Sequence, residues 1–178
     1  MTDDSVRVRR LGRDDAAACV PALAGVLVDV VEGGASVGFM HPLTVARAAH
    51  FWRTVADGVA RGERALLVAE DGGGCVVGTV QLLLALPENQ PHRAEVAKML
   101  VRRDARRRGI AQRLLDAAEA EARAERRTLL VLDTVTGSDA ERLYARAGWR
   151  RVGEIPGYAL MPDGPPCTTT IFYKGLAP

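Results

Sequence analysis

The spacing of apolar residues divides the first third of the chain into a strand and helices. Val6 to Leu11 alternates apolar residues with arginines, as a half-buried strand does. Apolar residues then recur at helical spacing from Leu23 to Val30. Because Pro21 interrupts this pattern, we expect either one kinked helix or two short ones. A second helix is predicted from about Pro42 or Leu43 to Val59.

The middle of the chain predicts strands that pair with one another. Strands are expected at Ala65–Glu70 and Cys75–Leu86, and the intervening Asp71-Gly72-Gly73-Gly74 is typical of a hairpin turn. After a loop at Pro87–Pro91, a further strand at Ala94–Val101 runs directly into a turn rich in arginine.

The remaining third predicts helices alternating with strands. An amphipathic helix follows the arginine-rich turn, with an apolar face and an outward face that carries Asp116, Glu119, Arg123 and Arg126. The later elements are a central strand at Leu129–Leu132, a helix at Ser138–Ala147, and strands at Trp149–Ile155 and Thr169–Lys174. The segment Pro156–Cys167 between the last two strands is expected to be irregular. Together these elements predict one α/β domain over residues 1–178.

Composition narrows the classes of function. The formal net charge of +2 provides no overall field for nucleic acid or a membrane surface. The apolar stretches fall short of the roughly 18 residues that span a bilayer. Three widely spaced cysteines form no CxxC pair, and His41, His50 and His92 lack metal-ligand spacing, so we predict neither disulfides nor a metal site. A cytoplasmic protein is the expectation.

The junction between the strand ending at Val101 and the following helix carries the clearest chemistry. Gly109 opens the helix, whose first backbone N–H groups have no acceptor within the helix and therefore attract anions. Nearby guanidinium groups add positive charge, and small residues allow phosphate oxygens to approach the backbone. This arrangement predicts a pyrophosphate site for a dinucleotide-like ligand. A solvated basic face is the alternative interpretation of the arginines.

Two separated motifs resemble the GNAT superfamily of acetyltransferases. Arg106, Gly109 and Ala111 match its (Arg/Gln)-x-x-Gly-x-(Gly/Ala) pattern, and Leu143-Tyr144 with Gly148-Trp149 is similar to its second signature. Gly137 departs from the family pattern at a place often occupied by asparagine. The resemblance implies a mostly antiparallel sheet of about seven strands flanked by about four helices, with acetyl-CoA as cofactor. The implied cofactor contacts are Met99, Leu100, Val101, Arg106, Arg107, Arg108, Gly109, Ile110, Ala111 and Gln112.

Further strings are similar to the tabtoxin-resistance acetyltransferases within that superfamily. They include residues 33–40, 93–96 and 132–134, then 153–158, 162–164 and 171–174. Because most of these strings lie outside the cofactor motif, they indicate a related acceptor site.

Two carboxylates are candidates for proton transfer. Glu95 lies in the strand that leads to the turn, and Asp133 closes the neighbouring strand, where side chains reach the ligand crevice of an α/β sheet. Each could instead form a structural contact, Glu95 with Arg93 or Lys98 and Asp133 with Thr134 or Thr136. The resemblance to the tabtoxin-resistance enzymes, whose corresponding carboxylates are implicated in proton transfer, favours an acid/base pair acting directly or through water.

The departing thiolate and the acceptor pocket have candidate residues as well. The Tyr144 phenol could donate a hydrogen bond to the developing thiolate, the alternative being a packed helix tyrosine. No cysteine or serine stands beside an obvious histidine base, which favours direct attack in a ternary complex over an acyl-enzyme. Phe39, Met40 and Tyr158 are predicted to wall the acceptor pocket, although Phe39 and Met40 could equally belong to the core.

The sequence thus predicts an acetyltransferase for an amine or hydroxyl of a small polar molecule, with toxin or antibiotic detoxification as a possible role. A polyamine, an aminoglycoside or a protein amine remain alternative acceptors, and a noncatalytic acyl-CoA-binding module is the alternative of another class. Binding of nucleic acid lacks a stacking stripe or a recognition motif. A monomer and a homodimer are both compatible with the sequence.

Overall fold

Residues 6–176, the part of the chain that the computed structural model describes, form seven strands and five α-helices. Residues 1–5 and 177–178 of the predicted domain lie outside that part. The strands are β1 Arg7–Arg10, β2 Arg64–Glu70, β3 Val76–Leu83, β4 Arg93–Val101, β5 Leu129–Val135, β6 Arg150–Leu160 and β7 Pro166–Gly175. The helices are α1 Arg13–Ala18, α2 Val20–Glu32, α3 Val45–Ala60, α4 Ile110–Ala124 and α5 Asp139–Arg146, and a 3-10 turn spans Arg103–Ala105.

One sheet contains all seven strands in the order β1-β2-β3-β4-β5-β7-β6. Only β4 and β5 run parallel, and every other neighbouring pair is antiparallel. The expected mostly antiparallel sheet of about seven strands is therefore confirmed. None of the helices in residues 6–176 is long and apolar enough to cross a membrane.

Helices cover both faces of the sheet. The apolar side of α4, with Leu114, Leu115 and Ala118, packs on one face, and α1, α2 and α3 bury theirs on the other. Consecutive residues of β2 alternate between the two cores, Leu66 on the α2–α3 side and Leu67 on the α4 side. Because both faces are covered, β2 reads as a continuous apolar run rather than as an alternating one.

The region after β1 forms two helices, one of the two predicted possibilities. The break falls at Cys19, and Pro21 lies in the first turn of α2, where its missing N–H costs no hydrogen bond. The next helix, α3, begins after Thr44, whose side chain accepts a hydrogen bond from the Arg47 N–H at 3.2 Å. This N-cap sets the helix start two or three residues later than the hydrophobic pattern predicted.

The expectation of an irregular Pro156–Cys167 segment is wrong. Strand β6 continues to Leu160 and β7 begins at Pro166, so only a short hairpin turn separates them. The pairing of the two strands shifts between Ile155 and Ala159, where β6 carries extra residues that include Pro156 and Gly157. A proline is tolerated there because β6 is the edge strand and the segment is a bulge.

Glu119 was expected on the outward face of α4 but is buried. Its carboxylate accepts hydrogen bonds from Lys174 Nζ at 2.7 and 2.8 Å and from the Trp149 indole N–H at 3.1 Å. Lys174 also donates to the Ala147 carbonyl at 2.8 Å. The pair therefore ties α4 to β7 and to the end of α5, a long-range contact that helical periodicity cannot reveal.

Candidate active site

A cleft opens where β4 and β5 separate. The two parallel strands pair only from Arg93 to Glu95 on β4 and from Leu129 to Val131 on β5, although both continue for several residues. Beyond these pairs the cleft measures about 1410 Å³. Its walls are the later parts of both strands, the starts of α4 and α5, and the loop 33–38 that follows α2. Carboxyl ends of parallel strands thus face the cleft, as in other open α/β sheets.

A bulge in β4 sets which side chains face the cleft. Thr79 and Gln81 of β3 pair with Leu100 and Ala97, so β4 carries one extra residue between them. Lys98 in this bulge has φ 50°, an uncommon value for a residue with a side chain. The bulge also reverses which side of the sheet the β4 side chains face. Residues four apart would share a face in a regular strand, but Val96 packs with the α4 core and Leu100 with the α2–α3 core.

The turn between β4 and α4 is shaped by left-handed residues. Arg107 has φ 63° and Gly109 has φ 75°. A Cβ atom on Gly109 would meet nothing within 4 Å, so backbone conformation rather than space favours glycine there. The N–H groups of Ile110, Ala111 and Gln112 donate to no residue within 6–176, and all three residues line the cleft. This turn end of the cleft, residues 105–112, is therefore suited to an anion.

The arginines around the turn have different surroundings. Arg103 is bound to Asp29 of α2 through its backbone N–H and its Nε, both at 2.8 Å. Arg106 and Arg107 are exposed and line the cleft, and Arg106 Nε donates to the Val101 carbonyl at 3.3 Å. Arg108 is not among the described residues that line it. The predicted cofactor contacts Met99, Leu100 and Val101 line the cleft at the end of β4, just before the turn.

The predicted acid/base residues meet at the opposite, bulge end of the cleft, which we define by Glu95, Lys98 and Asp133. Glu95 pairs with Val131, and Asp133 lies two residues further along β5 on the same face. The Glu95 carboxylate accepts from the Arg93 guanidinium at 2.9 Å, which is the structural contact the sequence had left open. The two carboxylates thus share one wall.

Asp133 differs from Glu95 because it forms no salt bridge with any residue of 6–176. Loss of hydration raises the pKa of its carboxyl above the ordinary value, the charge of Lys98 opposes this change, and Glu95 adds to it. A carboxylate whose proton affinity is increased in this way is suited to accept a proton.

Tyr144 lies in α5 with its ring buried between core side chains. The ring centroid is 5.8 Å from that of Trp149 and 6.1 Å from that of Phe172, and Tyr144 also lines the cleft. Burial raises the pKa of the phenol, and the charge of Asp133 acts in the same direction. The hydroxyl therefore remains protonated and able to donate a hydrogen bond.

Of the three residues predicted to wall the acceptor pocket, Tyr158 lines the cleft, whereas Phe39 and Met40 do not. Tyr158 is exposed and lines the cleft from the β6 bulge. Phe39 instead packs edge-on against Phe51, with the ring centroids 5.2 Å apart, and Met40 is exposed outside the cleft lining. The preceding loop, 33–38, forms the wall and is fastened to the β6–β7 hairpin by a 2.8 Å bond from the Ser36 hydroxyl to the Leu160 carbonyl.

Lys98 is the main cleft residue that sequence reasoning missed, since it was weighed only as a partner of Glu95. Its ammonium lies 5.6 Å from the Phe51 ring centroid and faces the loop at Gly38. Nothing in the pattern of β4 marks a lysine for a left-handed bulge. No group of three His, Cys, Asp or Glu side chains within residues 6–176 could hold a metal ion.

Comparison with known proteins identifies the class of this fold and cleft. The family model described as the acetyltransferase (GNAT) family matches residues 34–149, which contain the bulge, the turn and α5. The chain belongs to this GNAT acetyltransferase family, and it is an enzyme of the N-acetyltransferase type.

Solved structures share the fold across nearly the whole chain. A ribosomal-protein-alanine N-acetyltransferase from Brucella melitensis is 24% identical with a TM-score of 0.78, covering 96% of this chain and 99% of that one. A GCN5-related N-acetyltransferase from Kribbella flavida is 22% identical with a TM-score of 0.78, at 96% and 98% coverage. A phosphinothricin acetyltransferase from Sinorhizobium meliloti, solved in complex with acetyl-CoA, is 18% identical with a TM-score of 0.78, at 99% and 90% coverage.

Proposed function

We propose that this protein transfers an acetyl group from acetyl-CoA to the amine or hydroxyl of a small polar molecule by direct attack in a ternary complex. One observation carries the proposal: the cleft between β4 and β5 joins an unsatisfied helix start at one end to Asp133 at the other. The helix start is suited to binding a pyrophosphate, and Asp133 is suited to proton transfer.

The turn end offers the groups that a CoA molecule needs. The N–H groups of Ile110, Ala111 and Gln112, which have no acceptor within residues 6–176, would hold the pyrophosphate together with the side chains of Arg106 and Arg107. After the bulge, β4 pairs with β3 only, so its edge toward β5 is open along Met99 to Val101 for amide groups of the pantetheine arm. When bound, acetyl-CoA supplies the activated thioester.

The residues at the bulge end have distinct roles in this proposal. Asp133 accepts the proton of the attacking amine or hydroxyl, directly or through water: although its side chain is exposed in the cleft, partial loss of hydration raises the pKa of its carboxyl. Glu95, fixed by Arg93, forms the acid/base pair with it and contributes negative charge that favours a cationic amine. Tyr144 donates a hydrogen bond toward the leaving sulfur.

A small amino-acid-like toxin is the proposed type of acceptor, with detoxification as the role. Two observations support it: strings 33–40 and 153–158 resemble tabtoxin-resistance acetyltransferases, and one solved structure of the same fold is a phosphinothricin acetyltransferase. Both strings contribute to the cleft, through loop 33–38 and Tyr158. The Brucella neighbour is named for a protein amine, which keeps a peptide N-terminus as the second candidate.

The test is release of free thiol from acetyl-CoA with a panel of amino acids, tabtoxinine-like β-lactams, polyamines, aminoglycosides and N-terminal peptides. Wild type is compared with Glu95→Gln and Asp133→Asn, and Glu88→Gln in the exposed β3–β4 loop is the matched control. Turnover of one class that collapses in the two site variants alone supports the proposal. CoA binding without turnover of any compound would favour a noncatalytic module.

A further inference from the structure

Lys98 is the cationic side chain that lines the bulge end of the cleft, and Arg93 and Arg64 add positive charge nearby without lining it. Lys98 Nζ lies 3.5 Å from the position that a Cβ atom would take on Gly38 and 5.6 Å from the Phe51 ring centroid. Phe51 is itself held by edge-on contacts with Phe39 and Trp52, at 5.2 and 5.1 Å between centroids. The ammonium is thus fixed between loop 33–38 and α3, beside the wall that carries Glu95 and Asp133.

Lys98 has no salt-bridge partner within residues 6–176, unlike comparable cations of the chain. Arg93, Arg103 and Lys174 each contact a carboxylate at less than 3 Å. Burial lowers the pKa of the Lys98 ammonium, Asp133 partly opposes this change, and Arg64 adds to it. An ammonium that has lost hydration without gaining a direct partner is stabilised by a further negative charge.

The backbone conformation at Lys98 does not itself favour a lysine. A left-handed φ of 50° is adopted with least strain by glycine or asparagine, and lysine offers no local hydrogen bond that would favour it. The bulge does, however, turn the lysine into the cleft instead of into either core. Its position is therefore suited to contact with a ligand.

We propose that Lys98 binds the carboxylate of the acceptor, so that the enzyme acetylates the amine of a free amino acid or amino-acid analogue. This inference rests on the proposed function and names its substrate class. The wall formed by Glu95 and Asp133 attracts the amino group, while Lys98 across the bulge end attracts the acid group. Such a charge pattern matches a zwitterion, whereas polyamines and aminoglycosides would leave Lys98 against another cation.

The experiment compares matched acceptors on enzyme saturated with acetyl-CoA. Each amino acid of the panel is assayed as the free acid and as its carboxamide, which removes the negative charge but retains the amine. Wild type, Lys98→Met and Lys98→Arg are measured, with Arg47→Met on exposed α3 as the control for loss of a cation. Titration with CoA confirms that each variant is folded and that its turn end is intact.

We expect wild type to prefer the acid over the carboxamide by about 10- to 100-fold in kcat/KM, the size of a charge-assisted contact. Lys98→Met should reduce the ratio to near one, mainly through KM, while Lys98→Arg keeps part of the preference and Arg47→Met keeps all of it. A ratio that is unchanged in Lys98→Met, or that favours carboxamides in wild type, would overturn the role of Lys98.

The failure of this inference and that of the proposed function are distinguishable. Turnover of peptides or polyamines but of no free acid would overturn the Lys98 site and leave acetyl transfer standing. If no compound is acetylated, the Lys98 site is tested separately by measuring whether the free acids bind to the CoA-loaded protein. Binding that Lys98→Met abolishes would support the site while contradicting transfer, and no binding would overturn both.

Discussion

The two ends of the cleft are built in different ways. The turn end comes from one continuous segment, residues 105–112, and the groups there that would suit an anion are mainly backbone N–H groups. The bulge end brings together side chains from β4 and β5 with the loop 33–38 and the β6 bulge. A contiguous backbone site can be read from the spacing of residues, whereas an assembled side-chain site depends on strand register and loop packing.

Substitution at Asp133 should produce the largest effect and should affect only the bulge end. We expect Asp133→Asn to lower kcat/KM by about 10²- to 10⁴-fold, the usual contribution of a positioned general base. CoA affinity should stay at the wild-type value because the turn end does not include this side chain. Thiol-release kinetics and calorimetric titration with CoA measure the two quantities.

Folding of that variant can be checked independently. Because the folded-state pKa of Asp133 is raised, the stability that its protonated form provides is lost as pH rises through that pKa. Asp133→Asn should therefore be no less stable than wild type at pH 7. A variant that unfolds earlier there would show that Asp133 has a structural role.

The ion pair between α4 and β7, which lies outside the cleft lining, provides a second comparison, in the free energy of unfolding. We expect Lys174→Met to lower the free energy of unfolding by about 3–5 kcal/mol, because it leaves the Glu119 carboxylate buried and unpaired. Arg93→Met at the bulge end should cost under about 1 kcal/mol, since the Glu95 side chain is 40% exposed. Chemical denaturation of both variants tests the contrast, and the double variant Glu119→Leu/Lys174→Met should recover much of the loss.

The positive φ of Gly109 at the start of α4 should affect both stability and the affinity for CoA. Gly109→Ala places a side chain at φ 75°, which costs about 1–2 kcal/mol, and we expect about a tenfold weaker affinity for CoA. The control is Gly74→Ala in the β2–β3 hairpin, where φ is 78° and the added Cβ also meets nothing within 4 Å. That variant should lose similar stability and bind CoA normally. Equal effects of both on CoA affinity would contradict a backbone anion site.

The smallest expected effect is a shift in the pH profile of kcat/KM when the charges beside Asp133 are removed. The acidic limb of kcat/KM should lie above the ordinary range of an aspartate, because partial loss of hydration in the cleft raises the pKa of Asp133. Lys98→Met should move this limb to higher pH and Glu95→Gln to lower pH, since the two charges act on Asp133 in opposite directions. A limb that is unchanged in both variants would exclude Asp133 as the titrating group.

Sequence patterns predicted most of the elements and the turn end, because helix periodicity and glycine placement are local properties. The errors concern contacts between distant segments. The continuation of β6 past Pro156 depends on its place at the edge of the sheet, and the burial of Glu119 depends on Lys174 arriving from β7. Lys98 was missed because a lysine at positive φ follows from the β3–β4 register rather than from residue preference.

Hydrogen exchange with and without CoA tests the central claim that the turn end binds the cofactor. We predict that saturating CoA slows exchange at the amides of Ile110, Ala111 and Gln112, which donate to no other residue of the described chain, and along Met99 to Val101. Exchange in loop 33–38 should change less until an acceptor is added. Unchanged exchange at these three amides in the presence of saturating CoA would contradict the account.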